Sequence, residues 1–368
     1  MKIGVLGSGA MGTGIAQVAA TAGHDVFLYD NNPDALGRAR QKLEAILNRL
    51  VEKGKLEEAA AAKILQKVQF VDSIFAYKGA DLVIEAIVED LAVKRSVFEQ
   101  LEDIVRPDCI LATNTSSLSV ASLAAACKKA ERVIGIHFFN PAPLMKLVEI
   151  VPAIQTVPEV VQTATDLIQS WGKVTVQAKD TPGFIVNRIA RPFYGESLRI
   201  LEEGMASVAT IDWAMTALGG FRMGPFTLMD YIGNDINYKV TETVFEAFYY
   251  DARYRPSFTQ KRLAEAGYLG KKTGKGYYNY GDNAVNPAPV EDPLLGKAIV
   301  NRVVLMLVNE AADALFWNIA TQTDIDLAMT KGVNYPKGLL QWADELGIAH
   351  CVRGLDALYE EYHEERYR

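Results

Sequence analysis

The sequence predicts an α/β N-terminal domain followed by two all-α helical domains that are tandem repeats. Three observations carry this reading. A glycine-rich turn joins a strand to a helix within the first thirty residues, strands and helices then alternate to about residue 182, and a helical stretch beyond residue 183 recurs 114 positions later. The implied boundaries are 1–182 for the α/β domain, with a helical arm at 34–67, then 183–282 and 294–368 for the two helical copies.

The strand Lys2-Ile3-Gly4-Val5-Leu6 runs into Gly7-Ser8-Gly9-Ala10-Met11-Gly12, and Ile15, Val18 and Ala19 then recur at helical spacing until Gly23. A second strand, His24 to Tyr29, ends in Asp30. Strand, GxGxxG turn, helix, strand and acid in this order form a Rossmann-type dinucleotide fingerprint. Gly7 permits the tight turn, Gly9 lets backbone approach a pyrophosphate, and Gly12 lets helix and strand pack closely. Amides at the helix start, at Ala10 and Met11, receive the phosphate charge. Asp30 suits a pair of ribose hydroxyls and repels a 2′-phosphate, and Asn31-Asn32 follow with no adjacent arginine. This favours NAD over NADP, with FAD the competing dinucleotide.

From Pro33 to Lys67 the alternation gives way to two apolar stripes, Leu36, Leu43, Ile46, Leu47 and Leu50, then Leu56, Ile64 and Leu65. They predict a helical hairpin. Its basic residues, Lys53 among them, fit either a solvated face or contact with a polyphosphate. Strand-like segments return at 68–70, 82–85, 109–112 and 133–137, separated by helical patterns at 91–105 and 120–127. A parallel sheet with helices on both faces follows, with ligands beyond the carboxyl ends of its strands. Asp30, Glu85 to Glu89, Asn114 to Ser116 and His137 to Asn140 lie at those ends.

His137 is the foremost catalytic candidate, because it stands where an apolar strand empties into Phe138-Phe139-Asn140-Pro141. A neutral imidazole suits the removal of a hydroxyl proton. Twelve residues on, Glu149 sits among apolar neighbours in Leu147–Val151, where a carboxylate is costly unless paired. A His137–Glu149 pair would satisfy it and fix the imidazole tautomer. The same residues also fit a structural histidine and a glutamate on an exposed strand face. A hydroxyl in Asn114-Thr115-Ser116-Ser117 fits either substrate contact or a cap on the next helix. Nucleophilic catalysis has little support: Ser116 lacks a GxSxG elbow and Cys109 falls in a strand.

Composition excludes other classes. With 368 residues, 49% hydrophobic and 23% charged, the chain is not disordered, collagen-like or a coiled coil. A formal charge of −7 gives no electrostatic reason for nucleic-acid or acidic-membrane binding. The 3 cysteines make no disulfide framework and no CxxC pair, so no metal is expected. Neither a signal peptide nor a long apolar run is present, and a cytoplasmic location is the expectation.

Taken together, GSGAMGTGIAQVAA at 7–20, DLVIEAIVEDLAVK at 81–94, NTSSLSV at 114–120, HFFNPAPLMKLVEI at 137–150, DTPGFIVNR at 180–188, MGPFTLMDYIG at 223–233 and GKGYYNY at 274–280 resemble the L-3-hydroxyacyl-CoA dehydrogenase family. The resemblance implies reversible NAD-dependent oxidation of an L-3-hydroxyacyl-CoA, as in fatty-acid β-oxidation. His137 matches the family's base and Glu149 the acid that orients it. Ser116 and Asn187 match the groups holding the substrate's 3-oxygen and thioester region. Asp30 matches the adenosine-ribose contact, Glu89 and Lys94 match nicotinamide-side contacts, and Asn114 and Asn140 match positions near the active centre. The 34–67 arm matches the segment contacting coenzyme A, with Lys53 the candidate residue.

The family minimum ends near Gly281, yet 87 residues follow. Across a linker at 283–289, Asn187-Arg188 pairs with Asn301-Arg302, Glu196 with Glu310, Ile211-Asp212 with Ile325-Asp326, Gly224 with Gly338 and Asp230 with Asp344. The second copy has no glycine turn, so Asn301 is expected to be a structural equivalent of Asn187. Single-copy members of the family resemble dimers joined through this domain. Here the duplicate is expected to bury Val303, Leu307 and Leu315 against the first copy, giving either a monomer with an internal pseudo-dimer or a homodimer. The substrate expected is 3-hydroxybutyryl-CoA or similar. 3-Hydroxyadipyl-CoA, a free hydroxy or sugar acid, and a non-catalytic crystallin-like nucleotide binder are the alternatives.

Overall fold

Strand β1 (Lys2–Leu6) buries its last four residues and passes through Gly7 into helix α1 (Ala10–Thr21), whose inner side includes Ile15, Val18 and Ala19. Strand β2 (Asp25–Tyr29) begins one residue later than the sequence suggests. His24 stays in the preceding turn, with its ring 5.7 Å from that of Trp171. The arm is a helix pair, α2 (Pro33–Glu52) and α3 (Glu58–Lys67). Asn32 starts α2 by accepting the amides of Asp34 and Ala35, and Pro33 takes the first helical position, where a missing N–H costs nothing. Then come β3 (Val68–Val71), β4 (Leu82–Glu85), α4 (Leu91–Ile104), β5 (Ile110–Thr113), α5 (Val120–Ala124), β6 (Val133–Phe138), β7 (Leu147–Pro152), α6 (Pro158–Ser170) and β8 (Val174–Gln177).

These eight strands form one sheet in the order β3-β2-β1-β4-β5-β6-β7-β8. The predicted parallel arrangement holds from β1 to β6, but β7 runs antiparallel to β6, and β8 is parallel to β7. The reason is chain length. Residues 139–146 join β6 to β7, and a parallel connection needs a crossover of about a dozen residues or more. Because order reverses at β1, the carboxyl ends of β1, β2 and β4 open around one crevice, which carries Gly7, Asp30 and Glu85.

The computed structural model describes residues 1–368 and divides into unit 1, Met1–Phe184, and unit 2, Ile185–Arg368. Unit 2 is helical: α7 (Val186–Ile189), α8 (Arg191–Glu202), α9 (Val208–Trp213), α10 (Pro225–Ile232), α11 (Asn234–Ala247), α12 (Phe258–Glu265), α13 (Pro293–Phe316), α14 (Gln322–Gly332), α15 (Leu339–Leu346) and α16 (Ile348–Tyr362). The expected stretches 183–282 and 294–368 meet within unit 2. Helix α13 packs against α8, with Val303 and Leu307 fully buried, so the two stretches share one core. Leu315, expected on the same buried face, is 37% exposed.

Bonds within unit 2 recur at the 114-residue offset. Arg188 Nε donates to Glu310 at 2.6 Å, and Arg302 Nε donates to Glu196 at 2.6 Å. Asp212 accepts the amides of Phe226 and Thr227, while Asp326 accepts those of Leu340 and Gln341. A side chain at Gly224 would strike Asp212, and one at Gly338 would strike Asp326. The buried carboxylates also take tyrosines: Tyr254 donates to Glu310, and Tyr367 donates to Glu196 at 2.7 Å.

Candidate active site

The dinucleotide crevice is shaped by what glycine lacks. Gly7 has φ +99°, and a Cβ there would stand 2.5 Å from the Ala86 carbonyl oxygen. A Cβ at Gly12 would lie 1.8 Å from the Gly7 carbonyl oxygen, so strand and helix touch backbone to backbone. A Cβ at Gly9 would meet nothing within 4 Å. That open side is where a pyrophosphate fits, and no side chain caps α1, so its first-turn amides, Ala10 and Met11 among them, have no side-chain acceptor. Asp30 faces the same turn, accepting Ser8 N at 2.7 Å and Ser8 Oγ at 2.8 Å through one oxygen and Asn32 N at 3.0 Å through the other. Burial would raise its carboxyl, but the Ser8 and Asn32 amides hold it below the usual carboxylate range. The donor set fits a nicotinamide dinucleotide with a free ribose 2′-hydroxyl.

At the other end of the crevice, β6 and β7 place His137 directly opposite Glu149. Nδ1 lies 2.6 Å from Glu149 Oε2; His137 is 6% exposed and Glu149 is fully buried. With the carboxylate ionised, Nδ1 carries the proton and Nε2 keeps the lone pair. The rings of Phe139 and Phe184 flank the imidazole at 4.5 and 5.7 Å between centroids. The exposed-strand reading of Glu149 is excluded. The arrangement pairs an imidazole with a buried acid that can set its tautomer.

Between these two ends runs a polar network that the sequence only half discloses. Glu85, at the end of β4, is fully buried and accepts Lys94 Nζ at 2.6 Å, Ile87 N at 2.7 Å and Thr113 Oγ1 at 2.8 Å. Lys94 is 1% exposed and also lies 3.2 Å from Glu89. Its ammonium is therefore committed to two carboxylates, and Glu89 is the member of the trio that reaches the surface. Glu89 receives Thr115 Oγ1 at 2.5 Å, Ser116 N at 3.1 Å and Ser117 Oγ at 3.2 Å, so it shapes the loop bearing Ser116. Burial would raise the Glu89 carboxyl, but the Lys94 ammonium and the Thr115 and Ser116 donors hold it below its ordinary value.

Asn114 spends its side-chain oxygen on the Phe138 amide, at 2.8 Å, bracing the strand that carries His137. The cap on α5 is Ser119, which accepts the Ser122 amide, rather than a hydroxyl of 114–117. Asp180 reinforces this helix start by accepting the Val120 and Ala121 amides at 2.9 and 2.7 Å, a role the sequence does not announce. Asn140 is exposed just beyond β6. Lys173, likewise unforeseen, donates to the carbonyls of Ala142 and Met145 at 2.5 and 2.8 Å and so ties down the loop after Asn140; burial lowers its ammonium to about 8. Asn187 lies in α7 of unit 2, partly exposed. Cys109 is buried and its thiol is pushed up to about 12, which leaves no thiolate for catalysis.

The arm is less informative. Lys53 is exposed at the carboxyl end of α2. The cleft between α2 and α3, about 520 Å³, is lined by Glu44, Glu52 and Glu58 around Leu47 and Val51. Carboxylates there do not suit a polyphosphate, so any anion contact on the arm falls outside this cleft.

The model of the 3-hydroxyacyl-CoA dehydrogenase NAD-binding domain matches residues 2–181, and that of the 3-hydroxyacyl-CoA dehydrogenase C-terminal domain matches 183–280 and 299–368. The chain belongs to the 3-hydroxyacyl-CoA dehydrogenase family. It is therefore an oxidoreductase acting on a CH–OH group with NAD. A 3-hydroxyadipyl-CoA dehydrogenase of Escherichia coli (strain K12) is 40% identical over 451 aligned positions, covering 100% of this chain and 95% of the relative. A probable 3-hydroxybutyryl-CoA dehydrogenase of Deinococcus radiodurans is 41% identical over 280 positions, covering 76% of this chain and 100% of the relative. Among solved structures, a 3-hydroxybutyryl-CoA dehydrogenase from Escherichia coli K12 superposes with a TM-score of 0.93 at 39% identity, covering 100% of this chain and 96% of that one. No helix is long and apolar enough to cross a membrane.

Proposed function

We propose that this dehydrogenase interconverts a short-chain L-3-hydroxyacyl-CoA and its 3-oxoacyl-CoA, with His137 as general base. The observation carrying this reading is the Nδ1–Glu149 bond at 2.6 Å, which reserves Nε2 for the substrate hydroxyl. NAD, bound at the glycine turn, supplies the hydride acceptor. His137 Nε2 takes the hydroxyl proton as the C3–H bond breaks, and Glu149 stabilises the imidazolium that results. Ser116, on the loop held by Glu89, and Asn187 are assigned to the 3-oxygen and thioester region. Glu89, Asn114 and Asn140 are assigned to the nicotinamide side, with Lys94 acting through Glu89; Lys53 is assigned to coenzyme A. The test is NADH oxidation with acetoacetyl-CoA, with free acetoacetate as control. Turnover restricted to the CoA ester is expected, and equal turnover of the free acid would overturn the assignment.

A dicarboxylyl substrate is the second reading, favoured by the relative that spans the whole chain and is named for 3-hydroxyadipyl-CoA. A higher kcat/KM for 3-oxoadipyl-CoA than for acetoacetyl-CoA would select it. We also read 301–347 as a duplicate of 187–233 that packs on its original as an internal pseudo-dimer. The recurring bonds of Arg188, Arg302, Asp212 and Asp326 support this. Three free, buried cysteines suit the cytoplasm.

A further inference from the structure

Helix α13 ends beside α15 and α16 in a groove of about 490 Å³, lined by Val308, Leu315, Phe316, Leu340, Ile348 and Val352. Counting back 114 positions leads to a face on α8, α10 and α11 that this chain covers with its own residues 257–280. There Ser257 and Thr259 donate to Glu202, and Gln260 donates to Asn237. Asp230 receives the amides of Tyr277 and Tyr278, and the Tyr277 ring lies 4.8 Å from that of Phe226.

In the groove the positions of Glu202, Asn234, Asn237 and Thr241 are held by Phe316, Ile348, Cys351 and Leu355. Polar positions on the covered face are thus apolar in the other stretch, where Phe316 and Ile348 lie open to solvent and Cys351 is buried. Phe316 is 75% exposed, its neighbour Trp317 59%, Ile348 59% and Val352 51%. A helix face left to solvent carries polar residues instead.

The size of the patch selects the occupant. With Leu315, these side chains expose on the order of 500 Å², at the upper end for a monomer's apolar patch. Two copies brought face to face would bury about 1,000 Å², the lower bound of a specific interface. The patch also holds both a knob, Phe316, and a groove, the requirement for isologous pairing.

We propose that this face pairs two copies of the chain about a two-fold axis, Phe316 of each entering the groove of the other. The comparison between the two faces rests on the duplication read above; the site chemistry plays no part in it. The test is sedimentation velocity of the full chain from about 1 to 100 μM, a range that spans micromolar association. A two-chain mass is expected at the upper end. Phe316→Glu and Val352→Glu should each give a one-chain mass with unchanged acetoacetyl-CoA turnover and circular dichroism, while Phe258→Glu, at an exposed aromatic on α12, should leave the two-chain mass intact. A one-chain wild type throughout, or a two-chain mass that survives both groove variants, would overturn the proposal. Absent turnover in a two-chain wild type would count against the function reading alone.

Discussion

Two regions of this molecule bury a nitrogen–carboxylate pair at the same distance and differ in what the nitrogen's side chain has left over. In the sheet, His137 meets Glu149 at 2.6 Å; in unit 2, Arg188 meets Glu310 and Arg302 meets Glu196, also at 2.6 Å. The arginines spread their remaining donors over further partners: Arg188 onto Asp313, Arg302 onto Glu203, Tyr362 and Tyr367. The imidazole has only two nitrogens, one of them fixed by Glu149; under the proposed function the other is left for substrate. Burial and distance therefore do not separate catalysis from architecture. The atom left over does.

The comparison breaks most visibly at the base. His137→Ala should lower kcat by about 10²–10⁴-fold while NADH binding, followed by fluorescence titration, stays near wild type. Retained turnover would return His137 to the architectural class. Arg302→Met should do the converse, costing about 3 kcal/mol in urea unfolding because Glu196 loses its closest cation, with kcat unchanged. A large drop in kcat in the folded variant would erase the distinction. Glu149→Gln should sharpen it: kcat should fall at least about 10-fold, since the imidazolium loses its counter-charge, whereas thermal stability should move less than in Arg302→Met.

The smallest effect concerns Glu89. Its folded carboxyl titrates below its ordinary value, so its stabilisation is complete above about pH 4.5 and is lost as pH falls through the lower folded value. Glu89→Gln should remove part of the acid limb of a stability profile and leave the pH dependence of stability between pH 6 and 8 unchanged. An acid limb identical to wild type would show that the Lys94 and Thr115 contacts do not select the ionised form.

Much of this was legible in the sequence, and what was not has physical causes. The glycine turn announces itself because Gly7 and Gly12 occupy places where a Cβ would collide with backbone. The pairing of His137 with Glu149 is legible because an acid among apolar neighbours demands a partner. The reversal of β7 is not legible because strand direction depends on what a connection can span rather than on strand composition. Lys94 is matched to a nicotinamide-side contact by resemblance alone, and its burial between Glu85 and Glu89 is not legible because sequence shows a charge without its surroundings. Asp180 and Lys173 were invisible for a related reason: each bonds to backbone groups distant in sequence, and backbone groups have no letter.

The reciprocal arginine–glutamate bonds of unit 2 join stretches of a single polypeptide. Dilution cannot part them, since their local concentration is set by the connecting chain. Each side is also encoded separately, so a substitution on one side is not forced on the other as it would be between identical subunits. The molecule already shows that freedom: Arg188 takes Asp313 as its second acceptor, whereas Arg302 takes Glu203, which does not occupy the corresponding position. Either side of this reciprocal contact is thus free to diverge while the other stays fixed.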